Sequence, residues 1–330
     1  MDPLVFEPYF RPQVWGGRML ETYLGCTLPG PGGFGEAWVL SAQELHVSRV
    51  VGGPFQGSLL TDLWRSHRVE IVGGKLLGDS PFPLLIKFLD CRELLSIQVH
   101  PSNAIALELG VGELGKTEAW VVLHAEPDAR IYAGLLPGVT RRDLETRLDA
   151  GTLADCLHGF TPKPGDCVFL PAGVVHAVGG GVLMAEVQQS SDATFRLFDW
   201  NRPGPDGRPR KLHRDQALRS IDWSAGPVNP VACQPIDGLS PGVRGDRLVT
   251  CDYFTLNRYQ LTASFDLPSP TPFSIWMVLQ GNVRLSGPSA NYQRDLRPGN
   301  TILIPATAPP LRWSPAVSGE EVTLLGSMIP

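Results

Sequence analysis

The chain is dominated by short runs of β-branched and aromatic residues, each closed by glycine, proline, asparagine or aspartate. The clearest runs are EAWVLSA (36–42), HVSRVV (46–51), PLLIKFLD (83–90), LLSIQVH (94–100), EAWVVLH (118–124), DCVFLP (166–171), GVLMAEVQQS (181–190) and TFRLFDW (194–200). Such runs predict β-strands. The 36 glycines and 31 prolines are spread along the chain, which is typical of turns between strands. Many short strands with few helices predict a mainly β protein, built as a sandwich or barrel.

Two segments have helical spacing instead. Residues 57–68 place apolar side chains three to four apart, and residues 140–160 form the clearer case, with Thr140 as N-cap and Leu144 and Leu148 four apart. Residues 217–241 turn to loop composition. We therefore predict a first domain over 1–215, with a helical segment at about 140–160, and a second domain over 216–330.

Two patterns occur twice. GDCVFLPAGVVHAV from Gly165 and GNTILIPATAPPLRW from Gly299 both read Gly, Asp or Asn, an apolar run and Pro-Ala, and EAWVVLHAE from Glu118 resembles SIWMVLQGN from Ser274. A glycine and aspartate followed by an apolar run and proline is characteristic of jelly-roll barrels of the cupin type. We therefore predict two related jelly-roll β-sandwiches.

The second copy of the pattern lacks two polar residues of the first. Under this alignment Pro310 stands where the first copy has His176, and Ser274 stands where it has Glu118. The apolar frame survives without these side chains, so the fold does not need them. This favours a site in the first copy alone and a metal-free second copy.

Composition excludes several classes of partner. The net charge is −5 and the chain has no clustered basic face, which argues against nucleic acid. The basic run over 202–214 is interpreted as a solvated loop, with a small anionic substrate as the alternative. No apolar stretch reaches the ~18 residues of a membrane span, and the start Met1-Asp2-Pro3 predicts no signal peptide. The six cysteines include no CxxC pair, so we expect reduced thiols and a cytoplasmic location.

Four residues form a candidate metal site. Gln98 and His100 are two apart on a strand and therefore point to one face. Glu118 begins the next strand-like run, and His176 follows another. Two imidazoles, a carboxylate and an amide oxygen suit a divalent metal with room for water or substrate. The alternative is a set of ordinary polar residues on strands, which is the usual role of a single histidine.

Seven motifs in order carry a resemblance to a known family. They are QVWGG (13–17), GEAWVLS (35–41), FPLLIKFLD (82–90), LSIQVHP (95–101), GKTEAW (115–120), PAGVVHAVGGG (171–181) and EVQQSSDATFRLFDWNR (186–202). Together they resemble the short bacterial form of type I phosphomannose isomerase, a member of the cupin superfamily. Beyond Arg214 the chain resembles only a generic second cupin.

The resemblance implies a ligand set and a set of pocket residues. One Zn²⁺, or another divalent metal, would be held by Gln98, His100, Glu118 and His176. Catalytic roles are implied for Arg196 and considered for Lys116, and substrate-binding roles for Ser96 and Lys87. Each of three residues also has a simpler interpretation. Lys87 could be an exposed lysine at a sheet edge, Ser96 an ordinary hydroxyl on a strand, and Asp192 a turn residue.

The reaction implied is the interconversion of mannose 6-phosphate and fructose 6-phosphate through an enediolate. The base is left open between Lys116 and a metal-bound water. The phosphate could meet Lys87, Ser96 and Arg196, or the loop cations Arg202, Arg208, Arg210 and Lys211. We expect a monomer or weak homodimer. Two alternatives are a metal-containing cupin that binds a sugar or sugar phosphate without turnover, and a cupin oxygenase, since two histidines and a carboxylate can also hold iron.

Overall fold

Short antiparallel strands make up most of the fold, which confirms the prediction of a mainly β protein. The computed structural model describes residues 1–74, 80–204, 207–267, 272–288 and 292–330. The strands in chain order are β1 (Leu4–Val5), β2 (Tyr9–Gly17), β3 (Phe34–Leu40), β4 (Ala42–Gln43), β5 (His46–Val47), β6 (Leu84–Cys91), β7 (Ile97–Val99), β8 (Glu118–Ala125), β9 (Ile131–Leu135), β10 (Leu157–Phe160), β11 (Cys167–Leu170), β12 (His176–Val178), β13 (Val182–Gln189), β14 (Phe195–Phe198), β15 (Gln234–Pro235), β16 (Val243–Thr250), β17 (Thr255–Leu261), β18 (Phe265–Leu267), β19 (Ser274–Gln280), β20 (Val283–Ser286), β21 (Gln293–Leu296), β22 (Thr301–Ile304), β23 (Leu311–Pro315) and β24 (Val322–Met328).

The helices are short and lie between the strands. They are α1 (Met19–Leu24), α2 (Leu60–Ser66), α3 (Arg68–Val72), α4 (Asn103–Glu108), α5 (Arg141–Asp149) and α6 (Arg214–Ser220). Within the described part of the chain, none of them has the length and apolar character needed to cross a membrane.

The two predicted helical segments are present but end differently from the prediction. α2 lies inside residues 57–68. In the second segment Thr140 caps α5, forming a capping box with Asp143. The predicted extent to residue 160 is wrong, because α5 ends at Asp149. Gly151 then adopts a positive φ of 70°, and a 3₁₀ turn leads directly into strand β10.

Two large sheets make up most of the first half of the chain, beside the two-stranded sheet β4-β5. One has six strands in the order β11-β8-β13-β6-β2-β3, with β6 also paired to β3, and the other has five in the order β10-β9-β12-β7-β14. α6 packs on this half, since Ala217, Leu218 and Ile221 share an apolar core with residues of β7 and β14. The predicted boundary at 215–216 falls within this helix.

Two further sheets form the second half. One has seven strands in the order β1-β22-β19-β24-β17-β16-β15, and the other has four in the order β18-β23-β20-β21. The edge strand β1 comes from the beginning of the chain: Leu4 pairs with Leu303 and Val5 with Ile302. The first residues of the chain therefore complete a sheet made otherwise by its last third.

Strand register supports the internal repeat. In the first half Glu118 lies opposite Leu170, and in the second half Ser274 lies opposite Ile304. The two pairs stand at the positions that the sequence alignment equates. Both copies of the pattern therefore form the same antiparallel strand pair, with Glu118 and Ser274 at the equivalent end position.

Three strands of the six-stranded sheet are buried on both of its faces. Every residue of β3, β6 and β13 is buried. Ala119 and Val121 share one apolar core with Ile275 and Met277 of the second half, while Trp120 belongs to a separate core inside the first half. Alternate residues of one strand therefore face the second half and the interior of the first.

The shared core predicts that the two halves unfold together. Ile275 is 1% exposed within it, so Ile275→Ala should lower the free energy of unfolding by ~2–5 kcal/mol. Urea unfolding, followed by tryptophan fluorescence and calorimetry, should show one transition that shifts as a whole. The surface control Val317→Ala, at a side chain 61% exposed, should change stability by no more than about 0.5 kcal/mol. Two transitions, of which only one moves, would contradict this coupling.

Candidate functional site

Three of the predicted ligands meet at one end of the first sandwich. The ligand atoms of His100, Glu118 and His176 all lie within 4.8 Å of one another, and all three residues are buried. Glu118 is the first residue of β8, His176 is the first of β12, and His100 directly follows β7. Strand ends from both sheets therefore bring the three side chains together, as metal ligands require.

Both imidazoles are oriented by backbone carbonyls. His100 Nδ1 donates to the carbonyl of Ala193 at 2.8 Å, and His176 Nδ1 donates to that of Val174 at 2.9 Å. Each Nε2 then carries the free lone pair and lies 3.5 Å from the Glu118 carboxylate. Such an outer hydrogen bond fixes the tautomer of metal-binding histidines.

Burial keeps both rings neutral. It holds the pKa of His100 well below the usual value, with Lys116 adding to the effect. It lowers the pKa of His176 to about 4. At neutral pH both nitrogens are therefore free to bind a metal.

Glu118 is the residue that most needs a metal. It is fully buried, and within the described residues its Oε1 has no hydrogen-bond donor. Its Oε2 is 2.8 Å from Lys116 Nζ, the distance of an ion pair. A buried carboxylate oxygen without a partner carries a large desolvation cost. A divalent cation at this oxygen and the two Nε2 atoms would remove that cost, so the donor set fits a metal.

Gln98 lies beside the three ligands. Its Nε2 is 3.3 Å from His176 Nε2, and its Oε1 accepts a hydrogen bond from Ser96 Oγ at 3.1 Å. Turning the amide by 180° would present Oε1 to the same space and leave Nε2 to donate to Ser96. Gln98 is therefore placed to supply a fourth, oxygen ligand.

Lys116 is a buried cation at the edge of this cluster. Its Nζ lies 3.3 Å from His100 Nε2 and 4.0 Å from Glu186 Oε1. Burial alone would lower the pKa of Lys116, but the carboxylates of Glu118 and Glu186 outweigh it and raise the pKa. In the chain without a metal Lys116 is therefore charged and poorly suited to act as a base.

Lys87 is buried, so the alternative of an exposed edge lysine is wrong. It is 3% exposed, and its Nζ lies 3.5 Å from Glu36 and 3.4 Å from Glu186. It also sits over the Trp38 ring at 5.0 Å. Lys87 is thus held between two carboxylates on the inner face of the six-stranded sheet.

A polar cavity of about 210 Å³ opens beside these groups. Its lining includes five of the predicted site residues: Lys87, Ser96, Gln98, Lys116 and Arg196. Arg196 Nε donates to Ser96 Oγ at 3.3 Å, and its Nη1 donates to the carbonyl of Lys211 at 3.0 Å. Ser96 therefore links Arg196 to Gln98, and the structure brings every predicted site residue to one place.

Three charged residues of the cavity lining were not predicted as site residues. They are Arg11, Glu36 and Glu186. Arg210 also lines the cavity, and it was predicted as an alternative contact for the phosphate. Glu186 accepts a hydrogen bond from Trp120 Nε1 at 3.0 Å, and its Oε2 has no hydrogen-bond partner among the described residues. The sequence contains a pattern that could have identified Glu36 and Glu186. Each is the single carboxylate in a run that forms a fully buried strand. Such a group must face a cation or a site.

Asp192 also lines the cavity, and it is more than a turn residue. Its carboxylate accepts a hydrogen bond from Arg11 Nη1 at 3.1 Å. Arg11 in turn lies over the ring of Trp38 at 4.7 Å. This pair closes one side of the cavity between β2 and the loop before β14.

Comparison with known proteins shows which family this chain is similar to. The model for the catalytic domain of type I phosphomannose isomerase matches residues 4–112. A mannose-6-phosphate isomerase of Bacillus subtilis is 35% identical over 92% of this chain and 93% of its own length, and one of Streptococcus mutans is 35% identical over 93% of both. The crystal structure of mannose 6-phosphate isomerase from Bacillus subtilis superposes with a TM-score of 0.90, at 31% identity and over all of both chains.

The buried histidines predict a pH dependence for the metal-free protein. The pKa of His176 is about 4 when folded and near the ordinary 6.5 when unfolded. Between these values the unfolded chain binds the extra proton, so stability falls as pH falls from about 6.5 to about 4. His176 alone should contribute ~3 kcal/mol to this loss. Urea unfolding of chelated protein at about pH 7 and about pH 4.5 measures it.

His176→Gln should reduce this pH dependence, because glutamine does not titrate. The matched control is His158→Gln, since His158 lies outside the cluster and bonds to Asn229. An unchanged slope in His176→Gln would contradict the assignment.

Proposed function

Because the chain belongs to the type I phosphomannose isomerase family, we propose that its first half interconverts mannose 6-phosphate and fructose 6-phosphate. The observation that carries the proposal is the site itself: a buried His, Glu and His cluster with an unpaired carboxylate oxygen, beside a cavity lined by five cationic side chains. A sugar phosphate is anionic, and its enediolate is more so. The cationic side chains of this cavity complement the negative charge of the phosphate and that of the enediolate.

The proposed cofactor is one Zn²⁺ per chain, held by Gln98, His100, Glu118 and His176. Nitrogen and oxygen donors without a thiolate suit zinc, and the isomerisation needs no redox step. A divalent ion held by these residues would supply a Lewis acid for the negative charge that develops on the sugar oxygens.

Lys116 is proposed as the cation that stabilises the enediolate. Its Nζ lines the cavity, and its raised pKa keeps it protonated in the metal-free chain. Glu186 is a carboxylate next to it, and its Oε2 accepts no hydrogen bond among the described residues, so Glu186 can receive a proton or orient Lys116. Of the two roles considered for Lys116, the charged role is therefore favoured over that of the base.

Arg196 is proposed as the second catalytic cation. Burial lowers its pKa, and the neighbouring Arg210 adds to the effect. Its hydrogen bonds to Ser96 and to the backbone at Lys211 fix the guanidinium at the cavity wall. A guanidinium held in one orientation can bind the sugar oxygens or the phosphate without reorganising.

The phosphate is proposed to lie on the side of Arg196 and Arg210. Arg210 lines the cavity and is fixed by two hydrogen bonds of 2.6 Å to Asp199. Lys87 is engaged by two carboxylates, so its proposed contact is with the sugar, together with Ser96. Arg202 makes its bonds to Asp199 as well and supports this arrangement from outside the cavity.

Isomerisation is tested directly with a coupled assay on purified, zinc-loaded protein. Fructose 6-phosphate formed from mannose 6-phosphate should be detected, chelation should abolish the activity, and zinc should restore it. A metal-loaded, folded sample that binds the sugar phosphate without turnover would overturn the proposal. It would support the non-catalytic cupin instead.

Lys116→Met should lower kcat by ~10²–10⁴-fold, because it removes a charge that acts on the enediolate. Methionine keeps most of the side-chain volume, so metal content, measured on the same sample, should stay at one per chain. The matched control is Lys163→Met, at an exposed lysine outside the cavity. A near-wild-type rate for Lys116→Met would exclude its catalytic role.

A further inference from the structure

The second half contains a cavity of its own, of about 780 Å³. It lies on the inner face of the seven-stranded sheet, lined by β16, β17, β19 and the end of β24. Nothing in the isomerase reaction uses it. Its size is sufficient for a small organic ligand.

Strand register shows that this cavity occupies the position of the first site. In the first half Glu186 lies between Trp120 and Lys87 on adjacent strands. In the second half Gly326 lies in the same way between Trp276 and Asn257. Trp276 therefore stands where Trp120 does, and Asn257 stands where Lys87 does.

The charged groups of the first site are replaced here by small or neutral ones. Ser274 replaces Glu118 and accepts a hydrogen bond from Trp276 Nε1 at 2.9 Å. Gly326 replaces Glu186, and a side chain there would meet the Trp276 ring at 3.0 Å. The indole therefore covers the space that a carboxylate occupies in the first site. This explains why no buried ionic network fills the second cavity among the residues that the structure describes.

Aromatic rings form one wall of the cavity. Tyr259 stacks on Phe265 with centroids 5.0 Å apart and lies 5.4 Å from the ring of Trp276. All three line the space. Such a wall suits the apolar C–H face of a sugar ring or another flat, weakly polar group.

Asn257 provides a polar group that lacks a partner. It is 5% exposed, it lines the cavity, and in the described part of the chain its Oδ1 has no hydrogen bond. Its Nδ2 makes only long contacts, 3.5 Å to Tyr259 Oη and 3.8 Å to Met328 Sδ. If the amide were turned over, an unpaired N–H would replace the unpaired oxygen. A ligand hydroxyl can satisfy either arrangement, because it both donates and accepts.

Arg247 adds a positive charge to the same face. It is the register partner of Asn257 on β16, so the two side chains share the inner face of the sheet, and both line the cavity. Arg247 is exposed, and no ion pair joins it to any described carboxylate. The nearby carboxylates are engaged elsewhere, Asp246 with Arg258 and Asp266 with Arg312. An anionic group on the ligand would complete this charge.

We propose that the second half binds a sugar phosphate at this cavity, as a second site that does not catalyse a reaction. The ring packs on Tyr259 and Trp276, a hydroxyl bonds to Asn257, and the phosphate meets Arg247. The assignment rests on this cavity alone and stands whether or not the first half is an isomerase.

The probe is glucose 6-phosphate, titrated calorimetrically into the zinc-loaded full chain. Wild type should show a binding event that Asn257→Leu weakens at least tenfold and that Arg196→Ala leaves in place. The matched control, Asn282→Leu at an exposed position outside the cavity, should bind as wild type does. Isomerisation of mannose 6-phosphate below saturation should stay within about twofold of wild type in Asn257→Leu.

Folding of the variant is checked separately. Leucine removes a buried polar atom without a partner, so ligand-free Asn257→Leu should be at least as stable as wild type. If it does not fold, Arg247→Gln at the exposed position replaces it, with the same tenfold loss expected.

Two outcomes would overturn the proposal. One is the absence of any binding event that these variants weaken. The other is inorganic phosphate binding as tightly as glucose 6-phosphate, which would indicate an anion site without sugar recognition. Glucose alone should bind more weakly than its phosphate, and equal affinity would exclude the role of Arg247.

Discussion

The structure depends on the balance of charge on one buried sheet face. Three carboxylates, Glu36, Glu118 and Glu186, face two ammonium groups, Lys87 and Lys116, on the inner side of a sheet that is covered on both faces. Unpaired charges in such a place are strongly destabilising. The ion pairs remove most of that cost and leave a net charge of −1 in this set. A divalent cation at Glu118 would change it to +1, the sign that an anionic substrate requires.

The two halves share the same strand arrangement but carry different side chains on its inner face. The strand pair that ends at Glu118 in one half ends at Ser274 in the other. In the first half the inner face is filled by a network of ions and leaves a small, polar cavity. In the second half serine and glycine stand at two of those positions, and aromatic rings line a larger space. The fold requires neither set, so each face is free to serve a site.

Sequence patterns predicted the fold class and the side chains that meet in the buried cluster of His100, Glu118 and His176 for a physical reason. Strand periodicity is local, so Gln98 and His100 could be assigned to one face, and the repeat singled out Glu118 and His176. Glu186 was missed because its partners are distant in the chain: Lys87 lies on β6 and Lys116 in the segment before β8. The helix predicted over 140–160 is longer than the observed one because the apolar spacing of the sequence continues past Gly151. There the backbone adopts a positive φ, and the helix has already ended.

Strand β1 has a consequence for how the protein is made. Leu4 and Val5 are translated long before their pairing partners, Leu303 and Ile302. This pairing has one of the largest sequence separations in the structure. The first half can collapse earlier around its own strands, but β1 has no partner until β22 has been translated. The late pairing of β1 with β22 raises the contact order of the fold. Folding is therefore slowed by this long-range pairing rather than by the local preferences of the strands.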